Sequence, residues 1–526
     1  MIEIIIQSES IMRTIRHISI FSLIALCFVS LAAGQSAPLT GLDEYIEKAR
    51  QDWKIPGMAV AVIKDDKIVY AKGFGVRKLG DPAPVDEKTL FAIGSSSKAF
   101  TSASLAILVD EGKIKWDDPV TKYLPEFELY DPYVTRELTI RDLLTHRSGL
   151  ERGDFLWYGT DNSRDEILRK VRFLKPSWSL RSRFGYQNLM YLAAGQVVAR
   201  VSGMSWDDFV RTRIFAPLGM NESSTSIKAF KPGGNVSQPH AEVDDKVQSI
   251  PWREIDNIGP AGSINSNVVE MAQWVRLQLG QGTLDGKKVF SAATSKEMHT
   301  PQTIIRLDGQ YPMMYPDAHF FAYGFGWFLS DFKGKKLVEH GGAIDGMRAE
   351  VALIPEEKLG VVVLTNLNGS LVGNTLVYRV IDAYLGQPQK DYSGDLLKAY
   401  GPLLAQAQAA QKKADAERVM ATKPSLDIAK YAGTYTNELY GTVKIAYENE
   451  QLKFQFGPAF KSTLEHWNYD TFQATFFTAG TSRTPVSFNL NPQGKVDSLI
   501  LGLTSKEYPF KRMPDEVKAP VATTKN

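Results

Sequence analysis

Ser95 and Lys98 stand three residues apart in Gly94-Ser-Ser-Ser-Lys98, and on a helix that spacing puts both side chains on one face. A serine hydroxyl is a weak nucleophile at neutral pH, and a base within hydrogen-bond reach lets it form an ester with an acyl carbonyl. The same Ser-x-x-Lys spacing recurs at Ser330-Asp331-Phe332-Lys333, so context must separate the copies. After Lys98 the run Ala99 to Val109 is apolar or small on nearly every side and Gly112 supplies a stop, the signature of a buried helix. Ser95 then opens that helix at its positive end, where an alkoxide or tetrahedral adduct is stabilised. Ser330 follows the aromatic run Phe325-Gly-Trp-Phe328 and precedes the turn-like Lys333-Gly-Lys335, which reads as a hairpin tip.

Two further elements follow in order. Tyr186-Gln-Asn188 precedes the helix-like run Leu189 to Arg200, whereas two other Tyr-x-Asn copies, at Tyr435 and Tyr447, lie in alternating, strand-like sequence. Glu339-His340-Gly341-Gly342-Ala343 ends a short apolar run. The base for Ser95 is either Lys98 or Tyr186. A neutral Lys98 near pH 7 requires its pKa to fall about 3 units from about 10.4, roughly 4 kcal/mol; a charged Lys98 would instead favour a Tyr186 phenolate, and the pair may be one titrating unit. His146 reads as a structural loop residue. No Cys/His or His-x-x-x-His spacing implies a metal, no cofactor is implied, and no G-x-S-x-G elbow occurs.

The order Ser-x-x-Lys, Tyr-x-Asn, His-Gly-Gly resembles the serine β-lactamase and penicillin-binding-protein superfamily, in the branch of class C β-lactamases, D-alanyl-D-alanine carboxypeptidases, D-aminopeptidases and related esterases. Supporting phrases run from about Leu42 to about Leu385, among them Phe91 to Thr101, Thr139 to Leu150, Ile214 to Met220, Pro260 to Ile264 and Val361 to Asn366. The resemblance implies an α/β fold, an antiparallel-sheet sandwich with an all-helical lobe and the active site between them. It also implies Ser95, Lys98 and Tyr186 as catalytic residues. Asn188 becomes a partner of Lys98 and of the substrate amide, and the backbone N–H groups of Ser95 and Ala343 become the oxyanion hole. Gly341 and Gly342 are read as room for a substrate backbone against the strand.

The 526 residues exceed one ordinary domain. Lys plus Arg number 61 against 59 Asp plus Glu, a net charge of +2 without a basic stripe, which argues against a nucleic-acid partner. Residues 1–34 read as a signal peptide whose true start is Met12: a basic Met12 to His17, an apolar Ile18 to Leu31 and small residues for cleavage. The apolar run is shorter than the roughly 20 residues that span a bilayer, so the expectation is export to the periplasm or outside with no stable anchor. The only cysteine, Cys27, falls in that leader.

Residues 38–386 form the expected hydrolase domain. Strands are expected at 58–63, 67–71, 337–340, 347–353 and 359–364, after an amphipathic helix over 40–53. An Ala/Gln/Lys-rich stretch within 387–425 reads as a helical linker. Residues 426–514 carry short alternating strands at 441–446, 452–456, 471–477, 486–490 and 498–503, a small antiparallel β-barrel that resembles the lipocalin-like domain appended to some peptidases of this family and is a candidate homo-oligomer surface.

The reading that follows is an exported serine hydrolase acting through an acyl-enzyme on a small-molecule or short-peptide amide or ester: a D-amino-acid peptide, a short ester or a β-lactam. The alternative is a non-catalytic relative that binds peptidoglycan-like ligands. His340 replaces the lysine of the family's third motif, and a neutral imidazole offers a carboxylate little attraction at pH 7. Neutral esters, or peptides recognised at their N-terminal side, are therefore the expected substrates.

Overall fold

The computed structural model describes residues 38–309, 311–477, 481–502 and 506–514; the leader, with Met12 and Cys27, lies outside them. Helix α1 (Leu42–Asp52) buries Leu42, Ile46 and Ala49, the stripe that the amphipathic spacing requires. Strand β1 (Gly57–Lys64) then turns into β2 (Lys67–Gly75) through Asp65 and Asp66, both at positive φ, the backbone that a two-residue hairpin turn demands.

β1 is buried along nearly its whole length, because the sheet is covered on both faces. Ala59, Ala61 and Ile63 join one core, and Met58, Val60 and Val62 join the other, the period-two consequence of the pleat. Ranged after β1 and β2 in sequence are β3 (Thr303–Ile304), β4 (Phe321–Tyr323), β5 (Phe328–Phe332), β6 (Lys335–Ile344), β7 (Met347–Ile354) and β8 (Leu359–Thr365). Together they form one eight-stranded antiparallel sheet in the order β2-β1-β8-β7-β6-β5-β4-β3. The sheet thus closes from both ends of the sequence around a helical insertion, as expected. β3, β4 and β5 extend it beyond the expected strands, and Lys333 and Gly334 turn β5 into β6 with Ser330 inside β5.

Helix α2 (Lys98–Asp110) runs through the molecule with Lys98 to Leu108 all buried; Phe100 stacks on Trp274 at 3.8 Å between ring centroids. Ser95 occupies a short 3-10 turn, Gly94–Ser97, leading straight into it. Helix α3 (Asn188–Ser202) lies in the helical lobe, likewise buried over most of its length, and α4 (Val372–Tyr384) covers the outer face of β7 and β8.

Helix α5 (Tyr392–Ala416) follows. Its first turns belong to the body built on the eight-stranded sheet: Tyr392 and Leu396 enter the outer core, Trp53 Nε1 donates to Ser393 Oγ at 3.0 Å, and Tyr392 Oη donates to Asp382 at 2.7 Å. Beyond it eight strands from Gly433–Asn437 to Phe510–Arg512 form a closed antiparallel barrel. Those at Gly433–Asn437, Phe460–Asn468 and Phe510–Arg512 add to the expected set. The barrel rests on the helical lobe: Phe460 packs on Phe155 and Tyr158 at 5.7 and 6.0 Å, Ala459 N–H donates to Gly159 O at 3.3 Å, and Lys175 N–H donates to Tyr508 Oη at 3.2 Å. Among the described residues no helix is long and apolar enough to cross a membrane.

What positions the site is the approach of β6 to the start of α2. A Cβ on Gly342 would lie 1.8 Å from Ile93 O, and one on Gly94, at φ +50°, would lie 2.5 Å from Ala343 N. Gly342 therefore makes room for the protein's own backbone rather than for substrate. Ser96 Oγ clasps the two segments by donating to His340 O at 2.8 Å.

Two expectations follow. Gly342→Ala should destabilise the protein by about 1–3 kcal/mol through overpacking against fixed backbone and slow covalent labelling of Ser95. Gly341→Ala meets only the Glu350 carboxylate tip, at 2.7 Å, and should cost less than half as much in urea unfolding. A chain ending at residue 387 loses Tyr392 and Leu396 from the core and should be about 3–5 kcal/mol less stable than one ending at residue 416; equal melting temperatures would show that the start of α5 is a passive spacer.

Candidate functional site

Lys98 Nζ lies 3.0 Å from Ser95 Oγ and donates to Ala261 O at 2.8 Å. Its side chain is fully buried, and desolvation holds its pKa well below the usual 10.5; the charge of Arg152 adds to this and Asp154 opposes it. The rings of Tyr186 and Tyr191, 4.8 and 5.4 Å away, offset only part of the lost hydration. A deprotonated Nζ directs its lone pair at the Ser95 hydroxyl while keeping an N–H for Ala261 O. Apolar packing around the whole of α2 is what imposes this on the lysine.

Tyr186 sits on the half-buried approach to α3 and lines the same cleft as Ser95; desolvation raises its pKa above the ordinary tyrosine value, with the Ser95 hydroxyl and the Arg152 charge opposing. The two candidate bases thus move apart: burial favours the amine as a base and the phenol as an acid. His146 stands behind Tyr186, with ring centroids 4.2 Å apart. Its Nδ1 accepts from Gln187 N–H at 3.0 Å, which places its proton on Nε2 and fixes the backbone beside Tyr186. Desolvation, then the charges of Lys98 and His340, keep it well below an ordinary histidine. Its structural role includes supporting the site.

Asn188, the first residue of α3, departs from the expected contacts. Lys98 takes Ala261 O as its second partner, while Asn188 Nδ2 donates to Asp154 Oδ1 at 2.9 Å. Trp157 Nε1 donates to the same oxygen at 2.8 Å, and Arg152 Nε to the other carboxylate oxygen at 2.5 Å. That network orients the amide and leaves Asn188 Oδ1 buried without a partner, a free acceptor. Trp157 packs into the lobe, and Tyr158 donates to Asp345 at 2.7 Å.

His340 is buried on β6. Its Nδ1–H donates to Gly341 O at 2.6 Å and its Nε2 accepts from Tyr323 Oη at 2.9 Å, a neutral tautomer. Burial first, and Lys98 second, pull its pKa down to about 3. Beside it Gly341, Gly342 and Ala343 run past the end of β5, which pairs only as far as Glu339, and this free edge borders the cleft.

The cleft of about 410 Å³ is lined by Ser95, Tyr186, His340 and Gly341 to Ala343, together with residues that carried no sequence signal, including Arg152, Arg348 and Glu350. Cations therefore reach the cleft from other elements than β6. Each has an acidic neighbour: Arg152 pairs with Asp154, and Arg348 is attracted by Glu350 beneath Gly341. Burial raises the carboxyls of both Glu350 and the adjacent Glu339, the latter to about 7, and their mutual repulsion raises Glu350 further. Arg152 and Asp154 stand in a loop, Glu151 to Gly159, whose only sequence cue was its aromatic content. Among the described residues no cluster of three metal-ligating side chains is found.

Comparison with known proteins bears on the whole chain. Over 511 residues it is 30% identical to unguisins hydrolase ungD of Aspergillus violaceofuscus, covering 89% of this chain and 88% of that protein. Over 337 residues it is 29% identical to penicillin-binding protein 4 of Amycolatopsis lactamdurans, covering 61% of this chain and 84% of the other. The octameric penicillin-binding protein homologue from Pyrococcus abyssi shares the fold, with a TM-score of 0.59 at 22% identity over 90% of this chain and all of that one. Residues 417–515, which include the barrel, match a domain of unknown function, DUF3471. Residues 42–385 match the beta-lactamase family model, and the chain belongs to that family.

Proposed function

We propose that the protein is a serine hydrolase that cleaves a small amide or ester through an acyl-enzyme on Ser95. The observation that carries this reading is the buried Lys98 amine 3.0 Å from the Ser95 hydroxyl, held below its usual pKa by desolvation. Ser95 Oγ attacks the carbonyl carbon as its proton passes to Lys98 Nζ. The oxyanion forms where β6 meets the start of α2, between the N–H groups of Ser95 and Ala343. Collapse breaks the bond to the leaving amine or alcohol, which takes its proton through the Tyr186 phenol. Water then adds to the Ser95 ester, its proton returning to Lys98, and release of the acid restores the hydroxyl. Asn188, whose buried Oδ1 has no partner in the protein, is read as a partner of the substrate amide on the family resemblance alone. The hydrolase name of the fungal relative supports hydrolysis, and the leader-like segment supports export. The neutral His340 favours substrates without a carboxylate at that strand.

Three measurements test the reading. Ser95→Ala should abolish fluorophosphonate labelling and lower turnover by several powers of ten, whereas Ser330→Ala should leave both unchanged; undiminished labelling of the Ser95 variant refutes the assignment. The rate of Ser95 acylation should rise with pH along a limb that marks loss of the Lys98 proton, with its midpoint well below 10.5. Tyr186→Phe should slow the reaction and leave that midpoint in place; a midpoint that moves with Tyr186 would make the phenol the base. Stability should follow the same group. Because the native pKa of Lys98 is depressed, the unfolded chain binds more protons between that value and 10.5, so this residue's contribution to stability rises with pH across the window. Lys98→Met should therefore stabilise the protein by about 0.5–2 kcal/mol at neutral pH, the gain shrinking toward pH 10.5, while abolishing acylation.

A further inference from the structure

The cleft has two unlike walls. One is the polar side, with Arg152, Arg348 and Glu350. The other is formed by Phe184, Tyr311, Met314, Tyr315, Phe321 and Phe328, which reach the catalytic centre as one connected surface. Phe328 lies 5.1 Å from the His340 ring, stacks on Phe321 at 5.3 Å with only 7° between the planes, and meets Phe184 at 6.2 Å. Phe321 in turn contacts Tyr311 at 5.0 Å and Tyr315 at 4.4 Å. The surface is braced from behind: Phe321 and Tyr315 are buried in a small core with Ile305 and Tyr323, and Tyr378 on α4 donates to Met314 O at 2.8 Å. Phe184, Tyr311, Met314 and Phe328 remain partly accessible, with their free faces turned to the space that holds Ser95.

We infer that this wall is a specificity subsite for a large apolar, preferentially aromatic, side chain of a substrate residue flanking the scissile bond. The inference rests on the acyl-enzyme reading and names its substrate class. A preorganised aromatic surface gains from ring-to-ring contact beyond the area it covers, and its rings need little reordering when a ligand docks. On the opposite wall Arg152 is already paired with Asp154 and Arg348 is attracted by Glu350, so a charged side chain would compete with partners that the protein itself supplies. The free edge of Gly341 to Ala343 lies between the walls and suits an extended peptide backbone, by strand addition. The cleft volume of about 410 Å³ admits a residue of this size with its flanking amides.

The test is equilibrium binding to the full-length Ser95→Ala protein, which does not depend on catalysis. Calorimetry would compare N-acetyl-phenylalanine amide with N-acetyl-alanine amide, taking the tighter enantiomer of each. The aromatic ligand should bind at least tenfold more tightly. That ratio should collapse toward one in Phe328→Ala and fall in Tyr311→Ala, with Phe328→Leu, which keeps apolar volume, in between; thermal unfolding confirms that each variant is folded. A ratio within twofold in the parent protein, an alanine preference, or no detectable binding of the aromatic amide would overturn the inference. Fluorophosphonate labelling of the wild-type protein is read separately: failure to label Ser95 removes the acyl-enzyme reading, while an unselective cleft on a labelled enzyme removes only the subsite.

Discussion

The site depends on one amine kept out of water without a carboxylate to hold it. Lys98 is tethered to Ala261 O and surrounded by the apolar faces of α2 and two tyrosine rings. In such a place the charged form is the costly one. The same constraint spreads to its neighbours. A charge on His146 or His340 would repel one on Lys98, and each of these histidines is held neutral by burial with Lys98 contributing. The neutral imidazole at position 340, fixed between Tyr323 and Gly341 O, adds no cation beside Lys98, so burial first and the Arg152 charge second are what hold the amine below its usual pKa.

Backbone contact accomplishes the rest. Ser95 and the strand that borders the cleft come from opposite ends of the segment that matches the beta-lactamase family, and they meet because Gly94 and Gly342 carry no Cβ. The Ser96 hydroxyl then locks the contact by bonding His340 O. Across the cleft the loop bearing Arg152 and Asp154 orients Asn188, and the same loop receives Phe460 and Ala459 of the barrel on its Phe155, Tyr158 and Gly159. The barrel therefore adjoins the segment that walls the site rather than standing off on the linker.

Much of this was legible because it is written in periodicity and in residue types fixed by chemistry. The buried helix after Ser95, the hairpin at Asp65-Asp66, the strands from Lys335 to Thr365 and the barrel character of the C-terminal region each carry a local signal. The short strands at Thr303–Ile304 and Phe321–Tyr323 were not legible, since so few residues show no alternation. Ser330 reads as a hairpin tip because the aromatics around it do not alternate, whereas it lies inside the strand Phe328–Phe332, opposite Leu337. Within the barrel, Phe460–Asn468 carries Lys461, Ser462 and Glu465 among its apolar residues, which weakens its pattern. The cleft's charges were invisible for a different reason: Arg152 and Asp154, and Arg348 and Glu350, matter through what tertiary packing sets opposite them. Asn188 shows the limit of carrying over a motif, for its partner is Asp154 instead of Lys98.

The most direct test of the account is the titration of the Lys98 side chain itself, followed by NMR in protein carrying ¹³C- and ¹⁵N-labelled lysine and assigned by comparison with Lys98→Met. The account requires the Lys98 amine to lose its proton well below the ordinary lysine value of 10.5, so that a neutral base faces Ser95. A Lys98 that titrates at or above 10.5 would contradict it and return the base to Tyr186.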